Sequence, residues 1–101
     1  MSAIQITPTQ FAPGDTVLLE NTFTTYDGQP LDPTTIALKV MRPDGTIDEY
    51  DKTDTTRVQA GVYTLNYLTT TAGRYYVRWE TTGIPVTVDE GYFDVAHSQF
   101  V

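Results

Sequence analysis

Two runs of alternating side chains stand out along the chain. Gly61-Val62-Tyr63 opens the first, which carries Tyr63, Leu65 and Tyr67 in step, and Gly73-Arg74-Tyr75 opens the second, which carries Tyr75, Val77 and Trp79. Successive side chains of a strand point to opposite faces, so each run sends three large apolar groups to one side. The intervening positions, Thr64 and Asn66, then Tyr76, Arg78 and Glu80, are mostly polar. This pattern predicts two antiparallel strands, each with one face on a core and the other towards water.

The same alternation, punctuated every ten or so residues, recurs elsewhere. Ile4-Gln5-Ile6 reads as a short strand before Pro8 and Pro13-Gly14. Val17 to Thr25 places Val17, Leu19 and Phe23 on one face. Asn21 shares that face, which calls for a bulge or a buried, bonded amide. Tyr26 to Pro33 is a turn and loop. Ile36, Leu38 and Val40 alternate up to the tight-turn signal Pro43-Asp44-Gly45. The polar strand near Thr46–Tyr50 reads as an edge, able to add to a neighbour's sheet. Asp51 to Gln59 reads as a loop with a short strand near Arg57-Val58, and Thr81 to Pro85 closes a turn. A last strand runs from about Val88 through Gly91, Phe93 and Val95. No stretch of helical spacing exceeds two turns. The expected fold is all-β: a single immunoglobulin-like antiparallel β-sandwich of about seven to eight short strands. Its expected division is 1–13 as an N-terminal strand or arm, 14–95 as the sandwich and 96–101 as a flexible tail.

Within such a sandwich Tyr63, Leu65, Tyr67, Tyr75, Val77, Trp79 and Phe93 are the expected structural core. Ala72-Gly73-Arg74-Tyr75-Tyr76-Val77 has the form of a tyrosine corner, with Val77 where a disulfide-bearing domain has cysteine. Tyr75 would then bond back to the backbone of the preceding turn. Tyr63 offers the same geometry, so either residue, or both, can make the corner.

Composition narrows the chemistry. At 101 residues, 40% hydrophobic and 12% aromatic, the chain suits one folded domain. Six basic against thirteen acidic residues give a net charge of −7, which a phosphate backbone repels, so no nucleic-acid partner is expected. No apolar run is long enough for a membrane-spanning helix, and Met1-Ser2-Ala3-Ile4-Gln5 lacks the features of a secretory signal. The expectation is synthesis in the cytoplasm with no membrane partner. There is no cysteine, and His97 is the only histidine, so one chain cannot build a catalytic triad or a two-histidine metal site. Asp27, Asp32, Asp44 and Asp48 lie near turns without the spacing of a calcium loop; Asp89-Glu90 could join a calcium site between loops, but the acids are expected to form turns and face water. No cofactor is expected, and no enzymatic activity. The outward positions Met41, Tyr76, Arg78 and Tyr92 are the expected interface, because tyrosine and arginine are enriched where proteins meet.

Several successions of residues carry a family resemblance. They are Asp27-Gly28-x-Pro30-x-Asp32-Pro33, Ile36-x-Leu38-x-Val40, Arg42-Pro43-Asp44-Gly45, Ala60-Gly61-Val62-Tyr63, Ala72 to Glu80, and Glu90-Gly91-x-Phe93-x-Val95. Over roughly residues 26–95 the chain resembles the small immunoglobulin-like structural proteins of tailed bacteriophages, from the head and head–tail connector gene region. The resemblance implies a virion structural protein that decorates the capsid or serves the connector. The implied partners are capsid or connector proteins and further copies in the assembly. It assigns no functional residue, since the shared positions make turns and core. The competing expectation is a carbohydrate-binding or adhesive immunoglobulin-like module of a tail, fibre or host-contact protein, with Trp79, Tyr76 or Tyr92 stacking on sugar.

Overall fold

The alternation becomes two four-stranded antiparallel sheets. A computed structural model describes residues 2–7, 11–83 and 86–97. Its strands are β1 (Ser2–Thr7), β2 (Thr16–Phe23), β3 (Thr35–Met41), β4 (Ile47–Asp51), β5 (Thr56–Gln59), β6 (Val62–Leu68), β7 (Gly73–Thr82) and β8 (Thr87–Val95). One 3-10 turn, Lys52–Asp54, joins β4 to β5 and is capped by the Asp51 carboxylate. One sheet has the order β1-β2-β6-β5 and the other β4-β3-β7-β8. Among the described residues no helix is long and apolar enough to cross a membrane.

The inward positions of both sheets meet in one core. Val17, Leu19 and Phe23 of β2 and Ile36, Leu38 and Val40 of β3 belong to it, with Tyr63, Leu65, Tyr67, Tyr75, Val77, Trp79, Phe93 and Val95 completing it. Removing each such side chain from water contributes about 1.5–3 kcal/mol. Aromatic pairs give the core its shape: Tyr75 and Phe93 stack at 5.0 Å, and Phe23 meets the edge of Trp79 at 6.2 Å.

Turns end the strands where the backbone must reverse. At Arg42-Pro43-Asp44-Gly45, the amide of Gly45 donates to the Arg42 carbonyl at 2.9 Å, and Gly45 holds a φ of +90° that favours glycine. Gly61 serves a tighter need. It has a φ of +76°, and a Cβ there would lie 2.4 Å from the Phe23 carbonyl oxygen. That approach lets the Phe23 amide donate to the Gly61 carbonyl at 2.7 Å, which locks the start of β6 against the end of β2.

The fold sharpens three expectations. Of the two readings of residues 1–13, strand or arm, the described residues take the strand. Ser2–Thr7 pairs along its length with β2, Ile4 and Ile6 pack on the core, and Phe11 is buried and bridges Val95. The sandwich therefore includes the N-terminal strand. Position 96 continues it at the other end, since the Ala96 amide donates to the Phe11 carbonyl at 3.0 Å. Asn21 needs no bulge: its register against β1 and β6 is regular, and its buried Nδ2 donates across the sandwich to Asp89 Oδ2 at 3.1 Å. The break at Pro8, the Ile84-Pro85 turn and positions 98–101 of the expected tail lie outside the described residues.

Candidate functional site

The inward face is spent on packing, so the site is sought outside. Strand register arranges the outward side chains of the β4-β3-β7-β8 sheet into rows across the strands. Ile47 pairs with Met41, Met41 with Tyr76, and Tyr76 with Tyr92. All four are exposed, from 38% for Met41 to 55% for Tyr92. They form one apolar stripe at right angles to the strands, with a shallow groove of about 180 Å³ between Met41, Ile47, Tyr76 and Arg78.

Charged rows flank the stripe. On one side stand Glu49, Lys39, Arg78 and Glu90, which are neighbours in that order. Lys39 Nζ lies 3.0 Å from Glu80 Oε2, and Arg78 Nη1 lies 3.0 Å from Glu90 Oε1. The Lys39 ammonium beside Glu80 holds that carboxyl below its ordinary range. On the other side Arg74 donates twice to Asp94, at 2.8 and 3.1 Å, and its guanidinium lies 4.1 Å from the centre of the Tyr92 ring. Exposed pairs of this sort add little to stability, up to about 1 kcal/mol each. Their effect is local: they occupy the three cations of the face with its own carboxylates and fix Tyr92 in place. Among the described residues Glu49 makes no ion pair.

The expected interface residues Met41, Tyr76, Arg78 and Tyr92 thus lie together on one face. Ile47 completes their stripe and is absent from the sequence-based set, because its strand reads as a polar edge. The alternation of exposed Ile47, Glu49 and Asp51 with half-buried Asp48 and Tyr50 is the signal that locates it, once the turn at Pro43–Gly45 fixes its register against Met41. The expected core residues are all inward: Tyr63, Leu65, Tyr67, Tyr75, Val77, Trp79 and Phe93 are each at most 8% exposed. Trp79, at 0%, offers no platform for a sugar.

The three inward tyrosines of β6 and β7 send their hydroxyls to different partners. Tyr75 donates to the Thr71 carbonyl at 2.9 Å and accepts from the Thr71 amide at 3.2 Å, so it makes the tyrosine corner. Tyr63 instead donates to Asp32 Oδ1 at 3.0 Å, and Tyr67 donates to Asp48 Oδ2 at 2.7 Å. Asp32 also receives Arg57 and the Gly61 amide, which lower its carboxyl to about 2. Arg42 holds the Asp48 carboxyl below its ordinary value, and burial pushes the Tyr67 hydroxyl up.

Asp89 and Glu90 point to opposite faces of β8. Asp89 accepts from the inward Asn21 and Glu90 pairs with the outward Arg78, so the two carboxylates do not converge on one cation. Among the described residues no three acidic, histidine or cysteine side chains are gathered to hold a metal ion. His97 is exposed, two residues past the end of β8.

No family model and no curated protein matches the chain. Solved structures do. The filamin domain of Lin-41 superposes with a TM-score of 0.73 at 19% identity, covering 94% of this chain and 91% of that one. A DUF4785 family protein from Legionella pneumophila follows at 0.68 and 10% identity, covering 95% of this chain and 28% of that one. The chitinase ChiW of Paenibacillus, described as a cell-surface-expressed multi-modular enzyme machinery, matches at 0.62 and 15% identity over 92% of this chain and 8% of that one. At these identities the likeness is one of fold. The chain is an immunoglobulin-like β-sandwich of the filamin-domain kind, an architecture that also occurs as a module within much longer proteins.

Proposed function

We propose that this domain is a non-catalytic docking module, which attaches to a repeated protein assembly through the outward face of its β4-β3-β7-β8 sheet. One observation carries the reading: the continuous stripe Ile47–Met41–Tyr76–Tyr92, exposed across four strands and flanked by charged rows whose cations are paired within the face. An apolar centre containing tyrosine and methionine, with a polar rim, is the composition of a protein interface. The assembly we assign is the head or neck of a tailed bacteriophage, on the strength of the turn and core motifs between residues 26 and 95. Repetition of the site over a lattice or ring multiplies a modest single-site affinity.

The test is light scattering coupled to gel filtration, on the protein alone and mixed with phage particles induced from the genome that encodes it. Retention on particles at a fixed copy number, lost in Tyr76→Thr, supports the reading. The copy number separates a capsid lattice from a connector ring. A protein that ignores the particles sinks the virion assignment.

A further inference from the structure

The stripe has a direction, and that direction selects its occupant. Resting on the docking reading above, we propose that the stripe receives a short amphipathic helix of a different protein, with basic residues on the flank that lies over Glu49.

The spacing argues for a helix. Neighbouring strands are about 4.8 Å apart, so the four side chains of the stripe leave three gaps at that interval over about 14 Å. A helix lying along the stripe presents apolar groups at i, i+3 or i+4, and i+7, about 5.4 Å apart per turn, and places one in each gap. An extended segment repeats on one side only every 6.6–6.8 Å or so, which falls out of step after the first contact.

The charges argue against a second copy of this chain. A two-fold axis that lays the stripe on itself runs either along the strands or along the stripe. Along the strands, the row Glu49–Lys39–Arg78–Glu90 meets its own reverse, so Glu49 faces Glu90 and Lys39 faces Arg78. Along the stripe, Arg78 faces Arg74 and Glu90 faces Asp94. Both orientations oppose like charges.

The same charges specify the partner's chemistry. Lys39, Arg74 and Arg78 are satisfied within the face, whereas among the described residues Glu49 makes no ion pair, and it stands at the β4 end of the row. With a net charge of −7, the protein also steers cationic partners towards itself. A lysine or arginine at the β4 end of the helix completes the rim.

The test is an amide NMR titration of the full chain with two synthetic helical peptides of about 18 residues, a length that can sustain a helix in isolation. Both carry leucine at i, i+3, i+4 and i+7. One has lysines on its flank, the other glutamates. The lysine peptide is expected to shift Met41, Ile47, Tyr76, Tyr92 and Glu49, and the glutamate peptide to leave them unmoved. Glu49→Lys should weaken the lysine peptide about fivefold or more, and Tyr76→Thr should abolish binding. Both side chains point away from the core, and the dispersion of the amide spectrum reads the fold directly. Equal binding of the two peptides, shifts spread over the acidic surface, or an unchanged affinity in Glu49→Lys would overturn the proposal. So would concentration-dependent changes at the stripe without peptide, since a second copy would then be the occupant. Failure here with retention on phage particles removes the helix and leaves the docking reading standing.

Discussion

Tyr75→Phe removes a single oxygen from the most committed tyrosine of the fold. The ring stays, and its 5.0 Å stack on Phe93 with it, so the variant isolates the hydroxyl. That hydroxyl donates to the Thr71 carbonyl at 2.9 Å and accepts from the Thr71 and Thr70 amides at 3.2 and 3.4 Å. Deleting it leaves a carbonyl and two amides of the β6–β7 turn without their partner beside a fully buried side chain. Thr70 and Thr71 are themselves exposed, so water reaches these groups and the loss is that of the bonds made, about 0.5–1.5 kcal/mol each. A total of about 2 kcal/mol lowers the melting temperature of a domain this size by roughly 8–16 °C. Tyr63→Phe is the matched control, because its partner Asp32 keeps Arg57 and the Gly61 amide and is half-exposed to water, so the loss stays below about 1 kcal/mol. Urea unfolding read by the fluorescence of Trp79, the only tryptophan, measures both. A Tyr63→Phe penalty equal to or above that of Tyr75→Phe would refute the assignment of the corner to Tyr75.

Stability should depend on pH at both ends. Asp32 is lowered from 3.8 to about 2, so its contribution is complete above pH 4 and is lost as pH falls from there through 2. Asp48, Asp94 and Glu80 are lowered too and act in the same direction, which circular dichroism during acid titration will detect as unfolding below pH 4. Tyr50, Tyr63 and Tyr67 are raised above 10, chiefly by burial, so the fold holds them neutral and loses stability as pH climbs past 10. Gly61→Ala should cost about 2–4 kcal/mol, because the added carbon meets the Phe23 carbonyl at a positive φ, whereas Gly45→Ala meets nothing and bears only backbone strain of about 1 kcal/mol. Equal melting temperatures for the two would show that close approach does not matter there. Trp79 fluorescence should be shielded from acrylamide in the native protein and insensitive to added oligosaccharides, and quenching as efficient as in urea would contradict its burial.

Most strands were legible because local chemistry and long-range packing agree in them. Ile36, Leu38 and Val40 alternate between a loop and a turn, and nothing distant is needed to read them. What local chemistry leaves open depends on partners far along the chain. β1 offers only Ile4 and Ile6, and its place in the sandwich follows from its pairing with β2 and from the packing of those two side chains on the core. β5 buries none of its residues, so the sequence marks only a short strand near Arg57-Val58, and its extent over Thr56–Gln59 follows from pairing with β6. The Asn21 amide is explained by Asp89, 68 residues away. The stripe was legible in part for the same reason: Met41, Tyr76 and Tyr92 announce themselves as outward, but only the register across four strands shows that they align, and with Ile47.

The tyrosines show why such a fold is easier to read than its function. Of the seven, Tyr63, Tyr67 and Tyr75 bury their rings and use their hydroxyls to fasten the Asp32 loop, the Asp48 edge strand and the β6–β7 turn. Each ring supplies core area and each hydroxyl a tether, a pairing phenylalanine cannot provide. These three generate the sequence motifs, since a buried ring with a fixed bond tolerates few alternatives. Tyr76 and Tyr92 have no such constraint: they sit half-exposed, 6.5 Å apart, tilted at 55° to one another. Their ring pair and the Arg74 contact add at most about 1 kcal/mol to the sandwich, and water around two adjacent exposed rings is unfavourable unless something covers them. The positions that the fold leaves free are therefore the ones on which the proposed docking rests, and Tyr76→Thr should weaken docking while leaving the unfolding midpoint nearly unchanged. A variant that loses stability and docking together would mean that the stripe serves the sheet instead of a partner.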